Sequence, residues 1–235
     1  MSTKSKRIVI LISGRGSNMA ALIQAAKEAD YPAEIAGVIS DQADAAGLKA
    51  AESFRVATRV VSRRDHASKE AHDAAIDAAL RKFGADIVCL AGYMRLLTPG
   101  FVDKWQGRMI NIHPSLLPMF KGLNTHQRAL DDGLRVHGCT VHFVTRDMDD
   151  GPIIAQAAVP VLTNDTEEKL SARVLKAEHQ LYPLALALVA GGKARMENGR
   201  TVFDGIDHAG GSGVIMMPST WHDPNDLENL ARFTP

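Results

Sequence analysis

Two kinds of segment alternate along this chain: short, unbroken apolar runs, and longer stretches whose apolar residues recur at helical spacing. Arg7 to Ser13 is a β-branched run of the first kind and reads as a buried parallel strand. Glu34 to Ser40, Thr58 to Val61, Asp86 to Ala91, Met109 to His113, Gly138 to Val144 and Ile153 to Val159 read as further strands. Between them, helical spacing predicts helices over Met19 to Ala29, Ala45 to Ser53, His66 to Phe83 and Thr125 to Asp132, with Pro99 opening a short one. On the third of these the expected inward face is Ala71, Ala75, Ile76, Ala79, Leu80 and Phe83. Asp165-Thr166-Glu167-Glu168 has capping-box spacing and should start a long helix with Leu170, Val174, Leu181, Leu184 and Leu188 inward; Pro183 should kink or divide it. Asn198-Gly199 predicts a hairpin turn within Arg195 to Phe203.

Strands alternating with helices imply an α/β fold, a doubly wound, mostly parallel sheet with helices on both faces. Residues 1–203 should form one domain, and residues 204–235, opening with Gly205 and Gly210-Gly211-Ser212-Gly213, a glycine-rich linker and C-terminal tail. In such a sheet, ligands sit outside the carboxyl ends of the strands. Four loops are expected to converge there: Gly14–Asn18, Gly92–Leu97, Asn111–Pro118 and Thr145–Gly151.

Asn111-Ile112-His113-Pro114-Ser115-Leu116-Leu117-Pro118 has the least ordinary chemistry. Residues i and i+2 of a strand share a face, so Asn111 and His113 can look into one pocket while Ile112 turns to the core. The two prolines make the exit rigid and extended. Asp149 lies in a polar loop expected at the same edge. A carboxylate beside an imidazole stabilises its charged form and fixes its orientation. A hydrogen-bonded structural pair in a tight loop is the competing reading of Asn111 and His113. Asp147, Asp149 and Asp150 suggest a calcium loop, but the glycine and distal glutamate of an EF-hand are missing. No histidine spacing matches a metal site, and Ser115 lies in no nucleophile elbow, so no metal is expected.

Strand, Gly14-Arg15-Gly16-Ser17-Asn18, then helix is an anion-binding arrangement, because glycines let backbone N–H groups approach a phosphate at a helix N-terminus. Ser17 and Asn18 can also cap that helix. A dinucleotide reading lacks its third glycine, where Met19 stands, although Asp41 imitates the ribose-binding acid. A plain tight turn remains the other alternative.

Composition narrows the partners. Lys+Arg and Asp+Glu both number 27, so no global field favours nucleic acid or a membrane surface, and any phosphate site must be local. Cys89 and Cys139 sit in apolar runs without a CxxC spacing, as reduced core thiols of a cytoplasmic protein would. Ile8 to Ile12 is too short for a signal sequence, and no apolar run approaches the ~18 residues of a membrane span.

Three stretches carry a resemblance: Ile12-Ser13-Gly14-Arg15-Gly16-Ser17-Asn18, the Asn111-to-Pro118 run, and Val141-His142-Phe143-Val144 with Asp149-Asp150-Gly151-Pro152-Ile153-Ile154. Together they resemble the phosphoribosylglycinamide formyltransferases, over roughly residues 7–203. The Asn-x-His…Asp set is shared by several 10-formyltetrahydrofolate enzymes, whereas the Ser-Gly-x-Gly-Ser-Asn loop is more selective. The resemblance implies transfer of a formyl group from 10-formyltetrahydrofolate, a co-substrate, to the amine of glycinamide ribonucleotide in purine synthesis. It implies catalytic roles for Asn111, His113 and Asp149, with His113 a cationic donor to a developing oxyanion. It places Gly16, Ser17 and Asn18 on the substrate phosphate, and Leu175, Lys176, Ala177 and Glu178 at its ribose or glycinamide end. Folate is expected at Lys69, at Met94, Arg95, Leu96 and Leu97, at Asn111, and along Thr145, Arg146, Asp147, Met148 and Asp149; Lys69 reads equally well as an ordinary solvated lysine.

Asp150 stands where the family often has a second glycine, which should stiffen the folate loop or alter its charge. Met119-Phe120-Lys121-Gly122 and Asn124 also depart from commoner choices and should tune access. The rivals are a 10-formyltetrahydrofolate hydrolase, a formyltransferase acting on methionyl-tRNA or an amino sugar, and a non-catalytic nucleotide-binding module. The hydrolase and the tRNA enzyme are expected to need an extra domain, for which this chain has no room. Small-molecule substrates are the partners expected, with no nucleic acid or membrane, on a monomer or homodimer.

Overall fold

A computed structural model describes residues 5–205 of the chain. Seven strands form one sheet: β1 (Lys6–Ile12), β2 (Ala33–Ser40), β3 (Thr58–Val60), β4 (Ile87–Leu90), β5 (Met109–His113), β6 (Val136–Phe143) and β7 (Ile153–Pro160). Their order is β3-β2-β1-β4-β5-β6-β7. The first five are parallel, and β6 and β7 antiparallel. A two-stranded hairpin, β8 (Ala194–Glu197) with β9 (Arg200–Phe203), stands apart and turns through Asn198 and Gly199, both at positive φ as its sequence predicts. The expected linker and tail fall, beyond Asp204 and Gly205, outside the described residues.

The helices are α1 (Ser17–Ala25), α2 (Ala46–Ser53), α3 (Lys69–Phe83), α4 (Pro99–Lys104), α5 (Thr125–Asp131) and α6 (Glu167–Ala190). Alternation along β1 splits the core. Ile8, Ile10 and Ile12 pack on one face with α1 and α6; Val9 and Leu11 pack on the other with α3 and α4. Met19, Leu22 and Ile23 fix α1 to the sheet, each burial contributing about 1.5–3 kcal/mol. On β5, Ile110 and Ile112 join the first cluster and Met109 the second, so Asn111 and His113 share the Met109 face as expected.

Three local expectations are corrected. On α3, Ala71 is exposed and Ala75 and Phe83 half-buried, whereas His72, Asp73 and Asp77 are buried. These polar side chains face inward because each has a partner there: His72 Nε2 meets the Val61 carbonyl, Asp73 accepts from Thr98 N at 2.7 Å, and Asp77 from Trp105 Nε1 at 3.0 Å. The cap of α6 is Thr166, which accepts from Lys169 N, so the capping box does not form; Asp165 instead accepts from Leu162 N and pairs with Arg173 at 2.6 Å. And α6 runs unbroken through Pro183, held on both sides by buried Leu181, Tyr182, Ala185 and Leu186; Leu184 is exposed.

A fourth correction concerns the site. Because β6 runs antiparallel, Phe143 pairs with Ile110, and Val144 N donates to the Met109 carbonyl at 2.9 Å. The loop after β6 therefore leaves at the amino end of β5, not at the shared carboxyl edge. It returns along β5, roughly 13 Å, to reach His113.

Candidate functional site

The glycine loop shows why Gly16 is a glycine. Its φ is +74°, and a Cβ there would come within 3.0 Å of Gly47 Cα, where the start of α2 packs against the loop. Gly16 itself occupies the cap position of α1, and no side chain caps the helix. The expectation that Ser17 or Asn18 caps it is thus corrected. The consequence is useful: the N–H groups of the first turn stay available to an anion. Asn18 turns away and donates Nδ2 to Glu178 Oε2 at 2.7 Å, while its Oδ1 is buried without a protein partner. Glu178 is buried on α6, and burial pushes its carboxyl above the ordinary value, opposed by the Asn18 hydrogen bond. Leu175 and Ala177 of the same turn are half-buried and Lys176 is exposed.

Next to this loop, Gly92 to Leu97 leaves β4. Ser13 N donates to the Gly92 carbonyl and Met94 N donates to Ser13 Oγ, tying the two loops edge to edge. Met94 and Leu96 present exposed apolar side chains, 73% and 65% accessible, as a binding lip would. Lys69, the first residue of α3, places Nζ 3.5 Å from the Leu97 carbonyl, so it does stand at this segment. Arg95 lies 3.8 Å from buried Asp41.

At the end of β5, His113 is buried and its two ring nitrogens have different neighbours. Nε2 lies 2.9 Å from the Phe120 carbonyl, which can only accept, so Nε2 carries the hydrogen. Nδ1 faces Asp149 Oδ2 at 3.4 Å, long for a hydrogen bond. Nδ1 is therefore the nitrogen left to exchange a proton or meet a ligand. Asp149 sits at φ +51°, an uncommon conformation for a residue with a side chain, and Gly122 N donates to its Oδ2 at 2.9 Å.

Asn111 shows a partner that the sequence did not single out. Its Nδ2 lies 3.2 Å from His142 Nε2, on the neighbouring strand of the register Asn111↔His142. His142 Nδ1 is 2.9 Å from the Phe143 carbonyl and so carries the hydrogen, leaving Nε2 to accept from Asn111. Burial lowers the His142 pKa, which keeps this arrangement neutral. One Asn111 amide hydrogen is thereby spent and the other remains. Strand pairing was the missing signal; no spacing in the sequence links residues 111 and 142.

The side chains of the 145–151 loop, the segment expected to close over the folate, go to several different partners. Arg146 makes a two-armed contact with Asp103 of α4 at 2.8 and 2.6 Å. Arg146, Asp147 and Met148 are exposed, and Thr145 Oγ1 turns to the Asp147 carbonyl. Gly151 closes the loop where a Cβ would overlap the Phe143 carbonyl. Only Asp149 of this set reaches the imidazole.

The loops thus present a helix start that no side chain caps, exposed apolar side chains at Met94 and Leu96, and the amide, imidazole and carboxylate of Asn111, His113 and Asp149. A family model described as formyl transferase matches residues 6–186. Phosphoribosylglycinamide formyltransferase of Escherichia coli is 43% identical over 198 residues, covering 84% of this chain and 93% of that protein. A crystal structure of the Brucella melitensis protein of that name is 62% identical and superposes with a TM-score of 0.78 over 80% of this chain and 97% of the other. The bovine trifunctional purine biosynthetic protein adenosine-3 is 54% identical, and this chain spans 20% of its length. The chain belongs to the formyl transferase family, and within it to the phosphoribosylglycinamide formyltransferases.

Proposed function

We propose that the chain transfers the formyl group of 10-formyltetrahydrofolate to the primary amine of glycinamide ribonucleotide, giving formylglycinamide ribonucleotide and tetrahydrofolate. The observation that carries the chemistry is the 3.4 Å approach of Asp149 to Nδ1 of His113, two residues along the same strand from Asn111. The amine attacks the formyl carbon, the C=O bond becomes an oxyanion, and the bond from carbon to the folate nitrogen then breaks. Asn111 Nδ2 and protonated His113 Nδ1 donate to the oxyanion; one such preorganised donor typically lowers a barrier by about 2.7–4 kcal/mol. Asp149 balances the imidazolium and helps carry the proton released by the attacking amine to the departing folate nitrogen.

The substrate phosphate lies on the open N–H groups of Gly16 to Asn18. Glu178 and the unpartnered Asn18 Oδ1 accept from the ribose or glycinamide end, which suits a ligand rich in donors. Lys69 and the Met94–Leu97 lip hold the folate. No group of three or more metal-ligating side chains converges among the described residues, and no helix among them is long and apolar enough to cross a membrane.

An assay of 10-formyltetrahydrofolate with and without glycinamide ribonucleotide tests this reading. Tetrahydrofolate is expected only with the acceptor present. Equal release without it would make the chain a hydrolase, and no turnover in either case a binding module.

A further inference from the structure

Three consecutive residues, Phe120, Lys121 and Gly122, each hold one partner around the proposed catalytic pair. The Phe120 carbonyl accepts from His113 Nε2 at 2.9 Å, Gly122 N donates to Asp149 Oδ2 at 2.9 Å, and Lys121 Nζ forms an ion pair with Asp150. Met148 also reaches back over Gly122, its Cε 3.5 Å from where a Cβ would stand. Segment 120–122 and loop 148–150 thus face each other residue by residue, with His113 beneath.

Two of these residues are held against their own preference. Phe120 has φ +54° and Asp149 φ +51°, in the left-handed region that residues with side chains seldom occupy. Such conformations persist only where surrounding contacts over-determine them. For Phe120 the support is Arg128 of α5, which donates Nη1 to the Lys121 carbonyl at 2.8 Å and lies 5.1 Å from the Phe120 ring. For Asp149 the support is the Gly122 hydrogen bond on one side and, on the next residue, the Lys121–Asp150 pair.

We propose that Lys121 and Asp150 are a positioning pair: a charge latch that closes loop 145–151 onto segment 120–122 and so holds the Asp149 carboxylate in line with His113. Neither residue touches substrate in this account; both act through Asp149. The latch rests on the formyl-transfer reading for its effect on rate, but not for its existence as a closure of the loop. Both side chains are partly exposed, 37% and 51%, so the attraction is open to solvent ions.

The test uses the full chain and the variants Asp150→Asn, Lys121→Met, and the exchange Lys121→Glu with Asp150→Lys. Each single variant is expected to lower kcat by about fivefold, the upper range for an exposed pair, leaving the KM for glycinamide ribonucleotide in place. The exchange should recover most of that loss. Raising salt to about 0.5 M should slow the wild type toward the single variants and leave those unmoved. Amide hydrogen exchange at residues 148–150, measured without substrate, should quicken in both single variants and return in the exchange. Unchanged exchange protection in Asp150→Asn overturns the latch. Faster exchange with unchanged kcat overturns its positioning role, as does an exchanged pair no better than the singles. A wild type that transfers no formyl group would instead defeat the functional reading, with the hydrogen exchange still deciding the latch.

Discussion

His142 Nε2 accepts the Asn111 side-chain amide at 3.2 Å while its own Nδ1–H is bound to the Phe143 carbonyl. A buried neutral imidazole therefore fixes which way Asn111 points. His142→Ala removes that acceptor and frees the amide to rotate. With one hydrogen bond lost, kcat should fall about tenfold, and the Asn111→Ala and His142→Ala losses should not add. Steady-state kinetics of the two single variants and the double variant check this; additive losses would separate the two residues.

Asp149→Asn keeps the shape of the side chain and removes its charge. Proton transfer through His113 loses its counter-charge, so turnover should drop at least about a hundredfold. The folate dissociation constant should change little, since the lip at Met94 to Leu97 is elsewhere. Single-turnover rates beside a fluorescence binding titration check the split, and an unchanged rate would remove Asp149 from the catalytic set.

Glu178 is a buried carboxylate whose burial raises its pKa, so its charge is costly in the free protein. Glu178→Gln should therefore hold or raise Tm, yet raise the KM for glycinamide ribonucleotide about tenfold, as loss of a charged hydrogen-bond acceptor does. Folate KM should stay in place. A fall in Tm with no change in KM would make Glu178 purely structural.

His137 links β6 to α5, with Nε2 3.2 Å from His126 Nδ1, the Phe120 ring edge-on, and His113 nearby. Burial, reinforced by His126, pushes its pKa down to about 4. Unfolded, it titrates near roughly 6.5. Between those values the unfolded chain binds the proton and the folded chain does not, so stability is full above about 6.5 and is lost as pH falls toward 4. Burial also lowers His126, which acts in the same direction. Thermal unfolding from pH 7 to pH 4 should show Tm falling over this window and falling less in His137→Gln.

Much of the fold was open to sequence reading because parallel strands buried on both faces must be short apolar runs, and Ile8–Ile12 and Val88–Leu90 are. Polar residues defeated that reading where tertiary partners reversed their preference: Asp73 and Asp77 are buried on α3 because Thr98 and Trp105 supply donors. Asp165 departs from its capping role for the same reason, its carboxylate being taken by Leu162 N and Arg173.

By itself the sequence determined the α/β class, the glycine loop before α1, and the shared face of Asn111 and His113, since these follow from periodicity within one segment. Only the tertiary structure decided which residue meets which across the site. It turned β6 antiparallel, so that the loop after it runs back along β5 and brings Asp149 to His113. It set His142 against Asn111 by strand register, and Lys121 against Asp150 by the meeting of two loops. The reason is physical: contacts distant along the chain depend on how whole elements pack, and local spacing carries no record of that.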